Sequence, residues 1–328
     1  MDRERSLALV VREPGRMEIG YTPAVARRGS EVRVASTLSG FSTGTDKWVM
    51  SGRFRWADIS FPLVPGYQVV GRVDAVPSDG SELQVGQSVV VLQAQAPVGF
   101  AAVWGCHAAS VTASSENVFD ATGVPELSAA LIVSAQVGFN AASRVAAASG
   151  SEIAVIGDGI IGASAALAAL ARGYRVVLLG RHDARLEPLA DLGIRTVNVG
   201  RTGTAVAPAW SPAAVIDTAQ TDDSLQSYLE ALEPGRGQIV YSGHSPGGIR
   251  HWGDMAEFQK RELRVDFVSG WTADRIEATL AAMRSGALPL DTLVGERATT
   301  AAEATALAVA VESGGLAPTA AVIDWREI

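Results

Sequence analysis

The chain of 328 residues predicts an α/β protein: a β-rich first part followed by a doubly wound parallel sheet. Three observations carry this. Residues 6–11, 31–37, 67–76 and 87–92 are short apolar runs separated by Gly, Pro and Ser, with no helical periodicity. From Glu126 onward, helix-like and strand-like segments alternate, the pattern of consecutive βα units. In the middle stands Glu152-Ile-Ala-Val-Ile-Gly-Asp-Gly-Ile-Ile-Gly-Ala, a G-x-G-x-x-G run between an apolar strand and an alanine-rich helix.

After the β-rich part, the pattern predicts a helix over 129–148 and a buried strand over 151–156. A helix over 160–172, stopped by Gly173, and a buried strand over 175–179 complete one βαβ unit. Asp183 is placed to cap a helix over 184–192, and further strands are expected near 196–199, 214–217, 238–242 and 263–268. After Gly270, helices over 274–285 and 301–313 and a strand over 319–323 are too few for a third domain. The expected division is therefore 1–122, 123–270 and a segment 271–328 that returns to the first domain.

Composition excludes several classes. A net charge of −8, with the Lys and Arg residues scattered, offers no basic face for nucleic acid. Met1-Asp-Arg-Glu-Arg runs into a strand-like stretch without the apolar core of a signal peptide, and no apolar run of spanning length is free of turn residues. A cytoplasmic protein away from membranes is expected. A single cysteine, Cys106, excludes an intramolecular disulfide and a cysteine-built structural zinc site.

The glycine run predicts a nucleotide diphosphate site. Gly157 permits the tight turn out of the strand, Gly159 permits close approach of backbone N–H groups to a pyrophosphate, and Gly162 permits helix–sheet packing. Ile160 and Ile161 open the helix whose positive N-terminus receives the anion. At the end of the second strand, where an NAD enzyme offers a carboxylate to the adenosine ribose, the chain has Gly180, then Arg181 and Arg185. A carboxylate repels a 2′-phosphate whereas a guanidinium binds two of its oxygens, so NADP(H) is the expected cofactor. The competing reading of Arg181 is a solvated loop arginine. His244 and Ser245 follow the strand expected at 238–242, at the sheet edge where ligands bind in such folds, and are further cofactor candidates.

Three motifs in order extend the reading. Ser39-Gly-Phe-Ser-Thr-Gly-Thr-Asp46, Pro65-Gly-Tyr-Gln-Val-Val-Gly-Arg-Val73 and Val85-Gly-Gln-Ser-Val89 resemble the Gly-Ile-Cys-x-Thr-Asp, Pro-Gly-His-Glu-x-x-Gly-x-Val and Val-Gly-Asp-Arg-Val segments of the medium-chain dehydrogenase/reductase superfamily. The resemblance spans essentially the whole chain and is greatest to the branch that includes bacteriochlorophyllide a dehydrogenase. It implies a GroES-like substrate domain, a Rossmann cofactor domain and a homodimer formed through the last strand of the cofactor sheet, here 262–268. The zinc enzymes of that superfamily hold their metal with a Cys, the His of Gly-His-Glu and a later Cys or Glu. The matching residues here are Ser42, Tyr67 and Val133, with Gln68 in place of the Glu. A hydroxyl, a phenol and an isopropyl group do not make a zinc site, so the resemblance implies a zinc-independent enzyme. The four histidines, His107, His182, His244 and His251, show no metal-ligand spacing and read as surface or hydrogen-bonding residues.

Without a metal, a carbonyl oxygen gaining charge needs a general acid or hydrogen-bond donors. Tyr67, at the position of the zinc-ligand His, is the candidate acid, the alternative being a core tyrosine. Lys47 is a candidate acid or electrostatic clamp, and Asp46 its orienting partner or a substrate ligand; the alternative is an exposed ion pair. Ser42 is expected to bind substrate or the cofactor amide. Trp48, Trp56 and Trp104, with Gln68, are candidates for a wall around a ring-shaped substrate, although each Trp alone also suits a core. Cys106 lacks a base beside it, because neighbouring His107 on a strand faces the other way. Three functions stay open: redox chemistry at a carbonyl or secondary alcohol of a small cyclic metabolite, reduction of an activated C=C bond, and non-catalytic nucleotide binding.

Overall fold

The computed structural model describes residues 5–54, 57–77, 82–202, 210–243 and 254–328. The chain forms two compact units, one of Met1–Val133 with Pro289–Ile328 and one of Ser134–Leu288.

The first unit is β-rich. Its larger sheet runs in the order Val294–Ala298, Ala320–Asp324, Glu31–Gly40, Val69–Ala75, Ser88–Val91 and Val118–Asp120, with Ser110–Ser114 also paired to Glu31–Gly40. The smaller sheet orders Arg16–Pro23, Arg5–Glu13, Leu63–Val64 and Ala101–Ala102. Along Arg5–Glu13, Leu9 and Val11 enter one core cluster while Ala8 and Val10 enter another, the two-residue period of a strand buried on both faces. The helix Ala301–Ser313 closes the first cluster with Ala304, Leu307, Ala308 and Val311, spaced three and four apart. Thr300 and Glu303 form its capping box and Gly314, at φ +78°, ends it.

The second unit holds a six-stranded parallel sheet in the order Arg195–Asn198, Arg175–Gly180, Glu152–Ile156, Ala214–Asp217, Gln238–Ser242 and Arg264–Val268. In chain order this is 3-2-1-4-5-6, with the central strand's carboxyl end at the switch point where such folds bind dinucleotides. Its central strand is followed by the helix Ile160–Ala171, buried along most of its length, as its composition requires.

Several expected boundaries move. The helix expected over 129–148 is two pieces, Glu126–Ala129 and Ile132–Ser143. Gln238 stops the second: its side-chain amide donates to the Arg144 carbonyl at 2.7 Å and accepts from the Ala146 N–H at 2.9 Å, taking backbone groups the helix would otherwise use. Asp183 is the first helical residue and His182 the N-cap of Asp183–Asp191; the Asp183 carboxylate accepts from Asn198 at 2.7 Å and pairs with Arg201. The helix Ala273–Arg284, expected to return to the first unit, belongs to the second, and the return begins at Pro289. The sequence pattern also passed over the strand Arg16–Pro23, the short helix Thr45–Met50 and the strand Val294–Ala298, none of which is strongly periodic. Among the described residues no helix is long and apolar enough to cross a membrane.

Candidate functional site

In the second unit, the fingerprint glycines are dictated by space. Gly157 has φ +112°, and a Cβ there would lie 2.3 Å from Thr218 Oγ1. At Gly162 a Cβ would stand 2.0 Å from the Gly157 carbonyl oxygen, so only glycine lets helix and strand approach this closely. Gly159 precedes the helix in an extended conformation, with nothing within 4 Å of where its Cβ would be. Ile160 is buried and Ile161 partly so. The first-turn N–H groups of this helix of twelve residues have no intrahelical acceptors. These features fit a dinucleotide pyrophosphate.

The end of the strand Arg175–Gly180 carries an arrangement centred on Asp158, between the first two fingerprint glycines. Its Oδ2 accepts the backbone N–H groups of Arg181 at 2.6 Å and His182 at 2.9 Å, and lies 2.9 Å from His182 Nδ1. Arg185 Nη1 stands 3.5 Å from Oδ1. Burial raises the Asp158 pKa, but these N–H donors and the His182 ring outweigh it and hold the carboxyl below its ordinary range. Gly180 is the residue that makes room: a Cβ there would lie 2.5 Å from Asp158 Cβ. Arg181 is exposed and has no ion-pair partner among the described residues, whereas Arg185 is engaged by Asp158. Of the cofactor candidates, His244 and Ser245 lie outside the described residues, as does Trp56.

In the first unit the candidates do not gather in one place. Asp46 is 1% exposed, so it is no surface ion pair. Its Oδ2 accepts the Ser42 N–H at 2.7 Å, while Ser42 Oγ accepts the Thr45 N–H at 3.3 Å, two bonds that hold the turn leading into the helix Thr45–Met50. The same carboxylate oxygen is 3.6 Å from Nε2 of fully buried His107, whose Nδ1 meets Ser39 Oγ at 2.8 Å. Trp325 Nε1 donates to that hydroxyl at 2.9 Å. Among the described residues, Asp46 Oδ1 and His107 Nε2 have no hydrogen-bond partner. Lys47 does not join them: its Nζ lies where a Cβ on Gly314 would stand 2.7 Å away, at the negative end of the helix Ala301–Ser313.

Tyr67 lies elsewhere, 6% exposed, with its ring edge-on to Trp104 at 5.4 Å; Trp104 is also edge-on to Phe54 at 5.4 Å. Trp104 is partly buried and has φ +65°, a left-handed conformation uncommon for a bulky residue. Trp48 packs on the same apolar cluster but pairs with the Arg53 guanidinium, 5.3 Å from its ring. Gln68 is a structural tie: it is fully buried, donates to the Gly40 carbonyl at 3.2 Å and accepts from the Val133 N–H at 2.8 Å. The residues that the resemblance sets against the zinc ligands are thus a serine that accepts the first N–H of a helix, a phenol packed on indole, and a valine. This donor set does not fit a zinc ion. Among the described residues no three His, Cys, Asp or Glu side chains gather as a metal site. Cys106 is fully buried, and burial, reinforced by the Asp46 charge, pushes its thiol far up, which leaves it unreactive.

Sequence reasoning missed Asp158 and the burial of His107. A carboxylate between fingerprint glycines, with Gly-Arg-His ending the next strand, was the available signal for the first. Nothing in the one-dimensional pattern signalled the second, since Asp46 and His107 meet only through the fold.

Comparison with known proteins agrees with this architecture. Residues 28–126 match the alcohol dehydrogenase GroES-like domain. A putative D-xylulose reductase from Agrobacterium fabrum is 25% identical, with 88% of this chain and 90% of that protein covered. The alcohol dehydrogenase notN from an Aspergillus species is 27% identical over 52% of this chain; the match spans 58% of that protein's length. Two solved structures share the fold. A putative zinc-binding dehydrogenase from Sinorhizobium meliloti bound to NADP has a TM-score of 0.82 at 16% identity, covering 98% of this chain and 99% of that one. An Escherichia coli alcohol dehydrogenase complexed with NADH has a TM-score of 0.78 at 17% identity, covering 98% of this chain and 99% of that one.

Proposed function

We propose that the chain is a zinc-independent, NADP(H)-dependent oxidoreductase of the medium-chain dehydrogenase/reductase superfamily, a reading supported by its GroES-like domain and its Rossmann-type sheet. Its substrate in this reading is the carbonyl or secondary alcohol of a small cyclic polar metabolite. The observation that carries the proposal is Tyr67, a phenol at the position of a metal ligand, with its ring held edge-on by Trp104. The bound nicotinamide nucleotide supplies or accepts the hydride. The protein's task is to orient the substrate and to move one proton at its oxygen. Tyr67 Oη donates that proton as a carbonyl is reduced and accepts it back as an alcohol is oxidised. The partly exposed indole of Trp104 offers an apolar wall for a ring. Exposed Arg181, beside a strand end without a side chain at Gly180, supports NADP(H).

A second reading, reduction of an activated C=C bond, is favoured by one observation: Asp46 is tied to Ser42 and Lys47 sits at a helix end, leaving fewer polar groups for carbonyl chemistry. The enolate that hydride addition to such a bond leaves can take its proton from solvent. NADPH oxidation with parallel ketone and enone panels separates the two, and turnover of neither panel overturns both.

Two expectations accompany this reading. Protein purified without added metal should contain far less than one zinc per chain, and a chelator should leave turnover unchanged; stoichiometric zinc with chelator-sensitive activity would contradict the assignment. The protein should also be a homodimer. Among the described residues the strand Arg264–Val268 ends the sheet, paired on one side only, and its Phe267 is 75% exposed. Light scattering at micromolar concentration should give twice the chain mass, and a monomer mass would refute this.

A further inference from the structure

The structure puts a carboxylate at the end of the strand Arg175–Gly180 after all, but delivers it from the glycine loop. Asp158 occupies the space that a side chain at position 180 would need: a Cβ there would be 2.6 Å from Asp158 Oδ2. Such a carboxylate can serve in two opposite ways. It can accept the ribose hydroxyls, which favours NAD(H), or it can hold the protein around it.

Hydrogen-bond capacity decides between them. A carboxylate offers about four lone-pair sites. Oδ2 is taken by the N–H groups of Arg181 and His182 and by His182 Nδ1, at 2.6, 2.9 and 2.9 Å; Oδ1 has the same Nδ1 at 3.1 Å and Arg185 Nη1 at 3.5 Å. The residue is 6% exposed, so a sugar hydroxyl would have to displace protein donors from a buried group. The charge is compensated locally by Arg185. Anchoring both N–H groups fixes the turn from which the Arg181 side chain emerges into solvent. Holding the half-exposed His182 ring through Nδ1 leaves its Nε2 outward.

We propose that Asp158 is a specificity-determining positioning residue, which presents Arg181 and His182 to the 2′-phosphate of NADP(H) and, by filling the space beside Gly180, excludes the acidic side chain that would recognise NAD(H). The inference rests on the NADP(H) reading above and goes beyond it. It makes Asp158 and any side chain at position 180 mutually exclusive.

The test is calorimetric titration of the full chain with NADPH and with NADH. Arg181→Ala should weaken NADPH by about 10- to 100-fold, the worth of a charge-assisted contact, and change NADH by less than about threefold. Asp158→Asn should weaken NADPH by about tenfold with the same small effect on NADH, the retained NADH affinity showing that the fold is intact. Combined, the two substitutions should cost little more than Arg181→Ala alone, because they remove one arrangement. Gly180→Asp alone should lose both nucleotides, and adding Asp158→Gly should restore NADH. If Arg181→Ala is selective and Asp158→Asn leaves the NADPH-to-NADH ratio unchanged, the inference fails while the NADP(H) reading stands. If Asp158→Asn weakens NADH more than NADPH, Asp158 holds the ribose and the inference is overturned. If the wild type does not prefer NADPH and Arg181→Ala changes nothing, both fall.

Discussion

Tyr67→Phe is expected to lower turnover by about 10²- to 10⁴-fold, the usual loss on removing a general acid–base group, while leaving nucleotide affinity and thermal stability near wild type. The two properties separate because the substitution removes only a hydroxyl. The ring, 6% exposed and packed edge-on against Trp104, keeps its contacts in the variant. Steady-state kinetics on the true substrate check this, with calorimetry for the nucleotide. Near-wild-type turnover would place the proton source elsewhere or move the chemistry to a C=C bond. Lys47→Met makes a useful contrast. The Lys47 ammonium sits at the C-terminus of the helix Ala301–Ser313, so its loss should cost about 0.3–1 kcal/mol of stability rather than turnover.

Asp217→Ala should destabilise the second unit by about 3–5 kcal/mol, because it strands several buried donors at once. The fully buried carboxylate accepts the N–H groups of Ala219 at 2.9 Å and Gln220 at 2.8 Å, and the hydroxyls of Ser224 at 2.9 Å and Tyr228 at 3.0 Å. The turn it holds includes Thr218, whose hydroxyl donates to the Ile156 carbonyl at 2.8 Å and packs behind Gly157. Nucleotide affinity should therefore fall with stability. Asp217→Asn retains an acceptor for the N–H groups and should cost less than about 2 kcal/mol. Burial outweighs the four donors and raises the Asp217 pKa above its unfolded value. The folded state then holds a proton that the unfolded state has released, so this residue's contribution to stability falls as pH rises from the unfolded carboxyl value through the folded one. Asn at this position should flatten that slope. Asp158, whose pKa is lowered, has the opposite sign: its contribution is lost as pH falls from the unfolded value through the folded one. Denaturant titrations across the acidic range distinguish the two residues, and an Asp217→Ala variant as stable as wild type would show that the network carries no stability.

The second unit of the chain was legible because its signals are local. Gly157, Gly159 and Gly162 do their work within six residues, and the strand over 175–180 follows from an apolar run. The candidate chemistry of the first unit was legible only as a set of residue types. Gln68 and Lys47 have the right chemistry for a substrate site, yet Gln68 ties Gly40 to Val133 and the Lys47 ammonium lies beside Gly314, at the end of a helix that begins some 250 residues later, placements that depend on contacts remote in sequence.

By itself, then, the sequence determined the α/β class, the parallel βαβ core and the tight glycine turn that joins its first strand and helix, since hydrophobic period and glycine spacing act over a turn or a strand. Only the tertiary structure decided which polar side chains are free to act. A carboxylate or an amide is a ligand or a strut according to whether its hydrogen-bonding capacity is already taken, and for Gln68 and Asp158 the partners that take it come from other elements of the fold.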